Sequence, residues 1–480
     1  MSVEYDLVVL GGTLEGRLAA KSAASYGARV ALIEPPGVFA QRQQSRYLLK
    51  GLQQLAEGKA RQSVGEWFWQ SPAEGSAEVS VEAENAAKFD WSALVAWSAI
   101  ASETQSLNLS VDTLSMSGVD FIAEMPKRLS PQLVVRTANR TLSTRSVLAA
   151  FGTVPSAKQR ADKGLSVSAV AGPMVTGAES LLQLKTLPAE VTILGESFEA
   201  VDWAEALNGL GVAVTLVAEQ FLPDEDSDIR GWVQSQLLTT GIKLASAFTP
   251  SFSLSPSIVL NLTHQPALVL PAFAYPPASR SQSNPYLLPN NRLQTAHPRI
   301  FACRYSPQGG VGCEAAVQQE AQVAVLNALF LPTRRVQYRE IPQSYHRFAK
   351  VGPTPRFART GHQPPHGYDV RIAVSHNSAT LHRVSPLASY CKLIFEYGEL
   401  QIIQLLGEGA SDLVEPLATL IDCPISDLLG VVENWPVQAG SESLMDLVRE
   451  AAESGVRSRW HPDHWRRDWA ENWFNWRRSR

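Results

Sequence analysis

Two glycine-rich turns are the parts of this 480-residue sequence best suited to chemistry, because each resembles a turn that holds nucleotide phosphates. The first reads "GGTLEG". It keeps Gly11 and Gly16 of the pattern G-x-G-x-x-G, with Gly12 between them and Thr13 at the middle position. A glycine at that middle position lets the backbone approach a pyrophosphate, so Thr13 adds a Cβ where the ligand would lie. A small hydroxyl side chain there could also donate a hydrogen bond to a phosphate.

The residues around this turn indicate a βαβ unit. From Tyr5 to Pro35 the pattern is an apolar strand, the turn, an alanine-rich helix and a second strand that ends at Glu34. An acid about 20 residues past the turn is the position that hydrogen-bonds a nucleotide ribose in such units. Two interpretations remain open, namely a dinucleotide site and a βαβ unit that binds nothing.

The second turn, "GESFEA", begins at Gly195 and has Ser197 at the middle position. Glu196 and Glu199 flank the start of the following helix, where their carboxylates would compete with a pyrophosphate for the helix N–H groups. Ala218 stands where the ribose acid is expected. The sequence therefore predicts a nucleotide fold that is kept as a scaffold and does not bind NAD(P).

Composition excludes several other functions. The net charge of -4 gives no indication of nucleic-acid binding. The four cysteines are Cys303, Cys313, Cys391 and Cys423. Their spacing matches neither a zinc site nor a local redox pair. So few cysteines in a chain of this size indicate a reducing, cytoplasmic setting. The sequence shows neither a secretory signal pattern nor an apolar run of about 20 residues, so we expect no membrane span.

With two nucleotide units in one chain, the sequence resembles the pyridine nucleotide-disulfide oxidoreductases, the family of glutathione reductase, dihydrolipoamide dehydrogenase and mercuric reductase. "AAFGTVP", which contains Gly152, is similar to the family's crossover motif, and "FLPDEDSDIRGWVQSQLLTTGI" and "NRLQTAHPRIFAC" resemble later segments. The resemblance covers roughly residues 4 to 455. It implies an α/β fold with two Rossmann-like domains, for FAD and NAD(P), and an α+β C-terminal dimerisation domain.

The resemblance also gives domain boundaries. It predicts a discontinuous FAD-binding domain over 1–150 and 277–332, and an NAD(P)-binding-like domain over 151–276. A dimerisation domain is expected over 335–455, followed by a tail at 456–480. Within the first domain, residues 119 to 150 alternate like antiparallel strands.

The family's catalytic positions differ in this sequence. The resemblance places a C-x4-C pair on the helix after the first βαβ unit, but "PPGVFAQRQQSRYLLK" occupies that region without a cysteine. A dithiol cycle needs an attacking thiolate and a resolving partner. Trp435 stands where the family has its acid-base histidine, and an indole cannot shuttle a proton near neutral pH. The sequence therefore predicts no catalytic residue of the family's kind.

Further cofactor contacts follow from the resemblance alone. Tyr305 replaces the family's aspartate at the second flavin contact and offers a hydroxyl in its place. Arg46 and Asp202 replace a lysine–glutamate pair, which implies a salt bridge near the flavin ring. Together with Gly11, Gly12, Thr13, Gly16, Glu34 and Gly152, these residues make up the expected FAD contacts.

The last 24 residues form a separate tryptophan- and arginine-rich tail, with seven arginines against three acids. On an α-helix, Trp465, Trp469, Trp473 and Trp476 fall within about 80 degrees of one another. Such a helix suits docking on a membrane surface or a partner protein, and the same stripe suits packing against the chain's own body or across a dimer.

Two functions compete at this point. One is an FAD-binding oxidoreductase that exchanges electrons with an unidentified partner without a dithiol. The other is a catalytically inactive relative, in which a homodimeric scaffold acts through its tail as a binding or regulatory module, either in the cytoplasm or at the membrane periphery.

Overall fold

A computed structural model describes residues 3–56, 90–151, 153–155, 174–175, 177–246, 258–266, 289–303, 314–360, 370–377, 389–433, 444–457 and 465–478. The chain divides into two compact units. The first unit comprises Met1–Phe221 and Leu237–Val336, and the second comprises Leu222–Gln236 and Gln337–Arg480.

The helices of the described residues are α1 (Leu14–Ser25), α2 (Val38–Ala56), α3 (Trp91–Gln105), α4 (Val111–Met116), α5 (Phe198–Gly209), α6 (Ser227–Thr239), α7 (Glu314–Leu329), α8 (Arg356–Thr360), α9 (Ala410–Ala418), α10 (Ile425–Glu433), α11 (Leu444–Arg457) and α12 (Trp465–Arg478). Short 3-10 helices lie at Leu107–Leu109 and Ala178–Gln183. Helix α12 lies within the tryptophan- and arginine-rich tail.

The strands are β1 (Tyr5–Leu10), β2 (Val30–Ile33), β3 (Val119–Ile122), β4 (Arg128–Leu129), β5 (Val134–Arg136), β6 (Thr141–Ala149), β7 (Thr153–Pro155), β8 (Met174–Val175), β9 (Glu190–Leu194), β10 (Ala213–Val217), β11 (Lys243–Ala245), β12 (Ile258–Asn261), β13 (His264–Pro266), β14 (Ile300–Ala302), β15 (Gln343–Ser344), β16 (Phe348–Val351), β17 (Val370–Asn377), β18 (Ser389–Glu396) and β19 (Glu399–Leu406).

The first sheet carries the first glycine turn. Its order is β3-β2-β1-β6-β5-β4, with β14 also paired to β6. Strands β3, β2, β1, β6 and β14 are mutually parallel, and β5 pairs antiparallel with β6 on one side and with β4 on the other. The prediction of antiparallel strands over 119–150 was confirmed for β5, which pairs antiparallel with β6. It was wrong for β3, which is parallel to β2, and incomplete for β6, which is also parallel to β1. Both strands have buried residues that are also compatible with a parallel sheet covered by helices.

The second sheet has the order β11-β10-β9-β12-β8 and is parallel throughout. Strand β9, helix α5 and strand β10 form the second βαβ unit, which the "GESFEA" turn predicted. In the second unit of the chain, strands β15-β16-β19-β18-β17 form an antiparallel sheet. The fold class of two Rossmann-like domains with an α+β C-terminal part is confirmed, whereas the exact domain boundaries stay a prediction.

A row of polar side chains crosses the antiparallel sheet of the second unit. Lys350 on β16 and Lys392 on β18 both lie opposite Gln404 on β19. Lys350 Nζ lies 2.6 Å from Glu225 Oε1, and the side chains of this pair are 9% and 10% exposed. The row therefore meets the segment before α6 through a buried ion pair.

Lys392 lies at the centre of a charge cluster formed with Asp226 and Asp228. Its Nζ lies 2.8 Å from Asp226 Oδ2 and 2.7 Å from Asp228 Oδ2. Lys392 is 4% exposed and Asp226 is fully buried. Tyr390 donates to Asp228 at 3.4 Å, and burial followed by the nearby Asp228 and Asp226 carboxylates raises the pKa of its phenol. Because Lys392 and Asp226 have little contact with water, they depend on each other for compensation, whereas the Asp228 side chain is 52% exposed.

Candidate functional site

The backbone itself accounts for the glycines of the first turn. Gly11 has φ +126°, and a Cβ added there would lie 1.9 Å from Ala150 O, on the end of β6. A Cβ on Gly16 would lie 2.8 Å from Gly11 O, because α1 begins directly over the turn. The close approach of β1, β6 and α1 therefore requires both glycines whether or not a ligand binds.

Thr13 caps helix α1. It has φ -106° and ψ 168°, and its Oγ1 accepts a hydrogen bond from Gly16 N at 3.3 Å. The same hydroxyl donates to Ala150 O at 2.9 Å, so its proton is directed into the protein and not toward a phosphate. The expectation that Thr13 could donate to a phosphate does not match this geometry. The side chain instead takes one of the helix N–H groups that an anion would use.

Glu15 adds a carboxylate to the first turn of α1, and it is 4% exposed. No sequence pattern singled it out. Its charge lies near Cys303, whose pKa is raised well above its usual value by burial and then by Glu320 and Glu15. A carboxylate at a helix N-terminus occupies the electrostatic position that a bound phosphate would take.

Glu34 lies at the end of β2, as expected for the ribose acid, but both of its oxygens already accept hydrogen bonds. Arg17 donates from Nε to Oε2 at 2.8 Å and from Nη2 to Oε1 at 2.7 Å. The two side chains are 9% and 2% exposed. This is a buried, bidentate ion pair, the geometry in which guanidinium and carboxylate fit each other best.

Further contacts fix the Arg17 guanidinium in place. Its Nη1 donates to Leu109 O at 2.8 Å, and its Cζ lies 3.8 Å from the centre of the Phe39 ring. The centre of the Phe121 ring lies 5.8 Å from the same Cζ atom. The cation is therefore satisfied by hydrogen bonds and aromatic faces on several sides.

Arg17 is the functional residue that the sequence analysis missed. The one signal was a basic residue directly after Gly16, in the otherwise alanine-rich stretch "GRLAA". Its meaning depends on α1 lying against β2, which brings residues 17 positions apart into contact. The tertiary structure was needed to show that the ribose acid already has a partner.

These residues do not fit a dinucleotide in the arrangement that the structure shows. Ribose recognition needs free acceptor capacity on Glu34, and pyrophosphate binding needs free N–H groups at the start of α1. Arg17 takes the first, and Thr13 and Glu15 stand at the second. Of the other expected contacts, Gly152 and Tyr305 lie outside the described residues. Gly12 lies against Glu34, because a Cβ added to it would be 2.6 Å from Glu34 Cγ.

Helix α2 occupies the place where the resemblance put a dithiol. Ser45 donates to Arg42 O at 3.0 Å. Arg46 Nη2 lies 2.5 Å from Glu314 Oε1, at the start of α7. The expected partner of Arg46 was Asp202, and this was wrong: α7 returns to α2 from far along the sequence and supplies the carboxylate. Asp202 lies on α5 and is 4% exposed.

The second glycine turn is also determined by packing. A Cβ on Gly195 would lie 2.7 Å from Ala200 Cβ, where α5 meets β9. Ser197 precedes α5, and its Oγ is buried without a hydrogen-bond partner among the described residues. Glu196 accepts a hydrogen bond from Gln220 N at 3.4 Å, beyond the end of β10. Whether NAD(P) binds this turn stays a prediction.

The cysteines do not form a redox centre within the described residues, where Cys303, Cys391 and Cys423 are free thiols. Burial raises the pKa values of Cys303 and Cys391. Cys313 and Trp435 lie outside the described residues. In the described parts of the chain, no group of three or more His, Cys, Asp or Glu residues could hold a metal ion. None of the described helices is both long and apolar enough to cross a bilayer.

Comparison with known proteins places these observations in a family. A family model described as pyridine nucleotide-disulphide oxidoreductase matches residues 5–250. Dihydrolipoyl dehydrogenase of Acholeplasma laidlawii is 27% identical over 252 residues, which are 51% of this chain and 69% of that protein. Glutathione reductase of a Nostoc species is 25% identical over 249 residues, again 51% of this chain but only 49% of the relative. The matching part thus spans about half of this chain.

Solved structures resemble the chain over most of its length. The HOCl-induced flavoprotein disulfide reductase RclA from Escherichia coli matches 92% of this chain and 99% of its own, with a TM-score of 0.65 and 18% identity. LpdA from Mycobacterium tuberculosis matches 93% of this chain and 99% of its own, with a TM-score of 0.67 and 18% identity. At this level of identity, the two structures establish the fold.

Proposed function

Because the chain belongs to the pyridine nucleotide-disulphide oxidoreductase family, we propose that it keeps the family's fold as a binding scaffold and does not reduce disulfides through a dithiol of its own. Helix α2 carries this proposal. It extends from Val38 to Ala56 with no cysteine in its sequence, and the Arg46–Glu314 ion pair links it to α7. Neither an attacking thiolate nor a resolving thiol exists on this helix.

The two buried thiols among the described residues do not substitute for the missing pair. Cys303 lies just past β14 and Cys391 lies within β18, and both are buried. Because burial raises their pKa values, both stay protonated near neutral pH, and a thiol is a far weaker nucleophile than a thiolate.

A disulfide reductase assay tests this proposal. We expect the full-length protein, supplied with FAD and either NADH or NADPH, to reduce neither lipoamide nor glutathione disulfide above the rate without protein. A dihydrolipoyl dehydrogenase assayed in parallel controls for the reagents. Turnover of either substrate would refute the scaffold proposal and favour a redox enzyme that uses other groups.

The tail supplies the binding function of the scaffold, and we propose that α12 docks on an anionic membrane surface. Trp473, Phe474 and Trp476 are 43%, 51% and 45% exposed, and the two indole rings stack with centroids 5.0 Å apart. Arg477 and Arg478 follow directly. Exposed aromatic rings beside arginines suit the boundary between acyl chains and acidic headgroups.

Vesicle co-sedimentation tests the tail proposal. The full chain should bind vesicles that contain phosphatidylglycerol, and a chain ending at Val456 should lose this binding. In Trp473→Ala/Trp476→Ala, which keeps every arginine, we expect a loss of about tenfold or more in partition. Raising the salt concentration should weaken binding, because salt screens the attraction between the arginines and the anionic headgroups. Undiminished binding by the truncated chain would show that another surface is responsible.

The homodimer expected from sequence remains part of the proposal. Strands β18 and β19 correspond to the stretch "KLIFEYGELQIIQLLGEG" that resembles the family's interface domain. Light scattering of the full chain should give twice the monomer mass. The cytoplasmic location likewise remains a prediction.

A further inference from the structure

A dinucleotide in a βαβ unit is recognised at two points, and this chain has a counterpart of each. The first is the acid at the end of the second strand, which binds the ribose hydroxyls. The second is the N-terminus of the intervening helix, whose N–H groups bind the pyrophosphate. Here the two points are Glu34 and the start of α1.

Arg17 occupies the first point. Each Glu34 oxygen accepts a hydrogen bond from the guanidinium, at 2.8 and 2.7 Å. Arg17 is 7% exposed and Glu34 is 2% exposed, so both charges are shielded from water. A ribose could reach Glu34 only after the guanidinium had moved away, which would break two charge-assisted hydrogen bonds and the third one to Leu109 O.

Arginine near a ribose acid has a second possible meaning, since in some dinucleotide folds an arginine binds the 2′-phosphate of NADP. The structure disfavours that meaning for Arg17. Its charge is already neutralised by Glu34, and its Cζ lies 3.8 Å from the centre of the Phe39 ring. Little of the Arg17 side chain is exposed to solvent. Arg17 is therefore a buried residue of the protein interior, where it pairs with Glu34.

The second point is obstructed by the chain as well. Thr13 Oγ1 accepts the Gly16 N–H at the start of α1 and donates to Ala150 O. Glu15, in the first helical turn, is 4% exposed and adds a negative charge to this end of the helix. The helix end thus receives its hydroxyl cap and its negative charge from within the chain.

We propose that Arg17 is a built-in substitute for the adenosine end of the dinucleotide, so that this chain folds with its first nucleotide site closed and does not retain FAD. The family implies FAD at this position, and the arrangement of Arg17, Glu34, Thr13 and Glu15 is in conflict with it. The inference goes beyond the proposed scaffold function, because a chain without a dithiol would remain a scaffold even if it bound FAD.

FAD titrations of four proteins test the inference, by calorimetry and by quenching of flavin fluorescence. They are the wild type, Arg17→Leu, Arg17→Leu/Glu34→Leu and the control Arg29→Leu, whose arginine is 61% exposed. We expect weak binding or none in the wild type and in the control. Arg17→Leu, which frees the Glu34 carboxylate, should bind FAD at least about tenfold more tightly, and the double variant should lose that gain.

The outcomes separate the two proposals. If the wild type binds FAD as tightly as Arg17→Leu, the inference is wrong, while the absence of disulfide reduction would still support the scaffold. If Arg17→Leu does not fold, Arg17→Gln keeps one donor for Glu34 and takes its place in the comparison. Thermal denaturation of the wild type with excess FAD provides an independent measurement, and a rise in melting temperature would overturn the inference.

Discussion

Replacing Arg17 with leucine should lower the free energy of unfolding by about 3–5 kcal/mol, because it leaves the Glu34 carboxylate buried without its partner. The pair is bidentate, and both side chains are less than 10% exposed. Removing both charges in Arg17→Leu/Glu34→Leu should recover most of the loss, since apolar groups of similar volume often replace a buried ion pair at little cost. Denaturant unfolding followed by circular dichroism measures both variants.

The matched control for this prediction is Arg29→Leu. Arg29 lies 3.7 Å from Asp6 and is 61% exposed, so its loss should change the free energy of unfolding by no more than about 1 kcal/mol. The double-mutant cycle isolates the coupling between Arg17 and Glu34. If the single and double variants were equally destabilised, the two residues would not act as a pair and the closed site would lose its main support.

The second large effect is expected in the other compact unit. Lys392→Met should lower the free energy of unfolding by about 3–5 kcal/mol, because Asp226 would remain buried without its cation. Lys392 contacts both Asp226 and Asp228 within 2.8 Å, and the side chain of Asp226 has no exposed surface. Methionine keeps the length of the side chain, so the measured change reports mainly the lost charge.

A surface ion pair of the same unit provides the comparison. Arg339 and Asp422 are 46% and 50% exposed, so Arg339→Met should cost at most about 1 kcal/mol. Urea unfolding followed by tryptophan fluorescence suits both variants. The ring centroids of Trp232 and Tyr390 are 5.8 Å apart, so Trp232 lies beside the charge cluster. An equal, small effect in both variants would mean that water compensates the cluster and that it contributes little to stability.

The sequence predicted the two parallel βαβ units because their signals are local. An apolar run, a glycine turn and an alanine-rich helix occur in order, and Gly11 and Gly195 lie where neighbouring atoms leave no room for a Cβ. The family resemblance and the fold class were confirmed for the same reason. The absence of cysteine from α2 also needed no structure.

Contacts between distant segments were less predictable. The alternation over 119–150 favoured antiparallel strands, although β3 and β6 join a parallel sheet, because a short apolar run does not reveal the direction of its neighbour. The partner assigned to Arg46 was wrong since α7 brings Glu314 back to α2. The role of Arg17 was likewise invisible until α1 and β2 were placed side by side.

The flavin content of the purified protein tests the central claim most directly. The wild-type chain, purified without denaturant in the presence of excess FAD and then freed of unbound cofactor, should show no visible flavin absorbance and should release no FAD on heating. That result follows from a buried Glu34 carboxylate that is already paired with Arg17. A yellow protein that releases one FAD per chain would contradict the closed site and would favour a flavoprotein in which Arg17 moves aside.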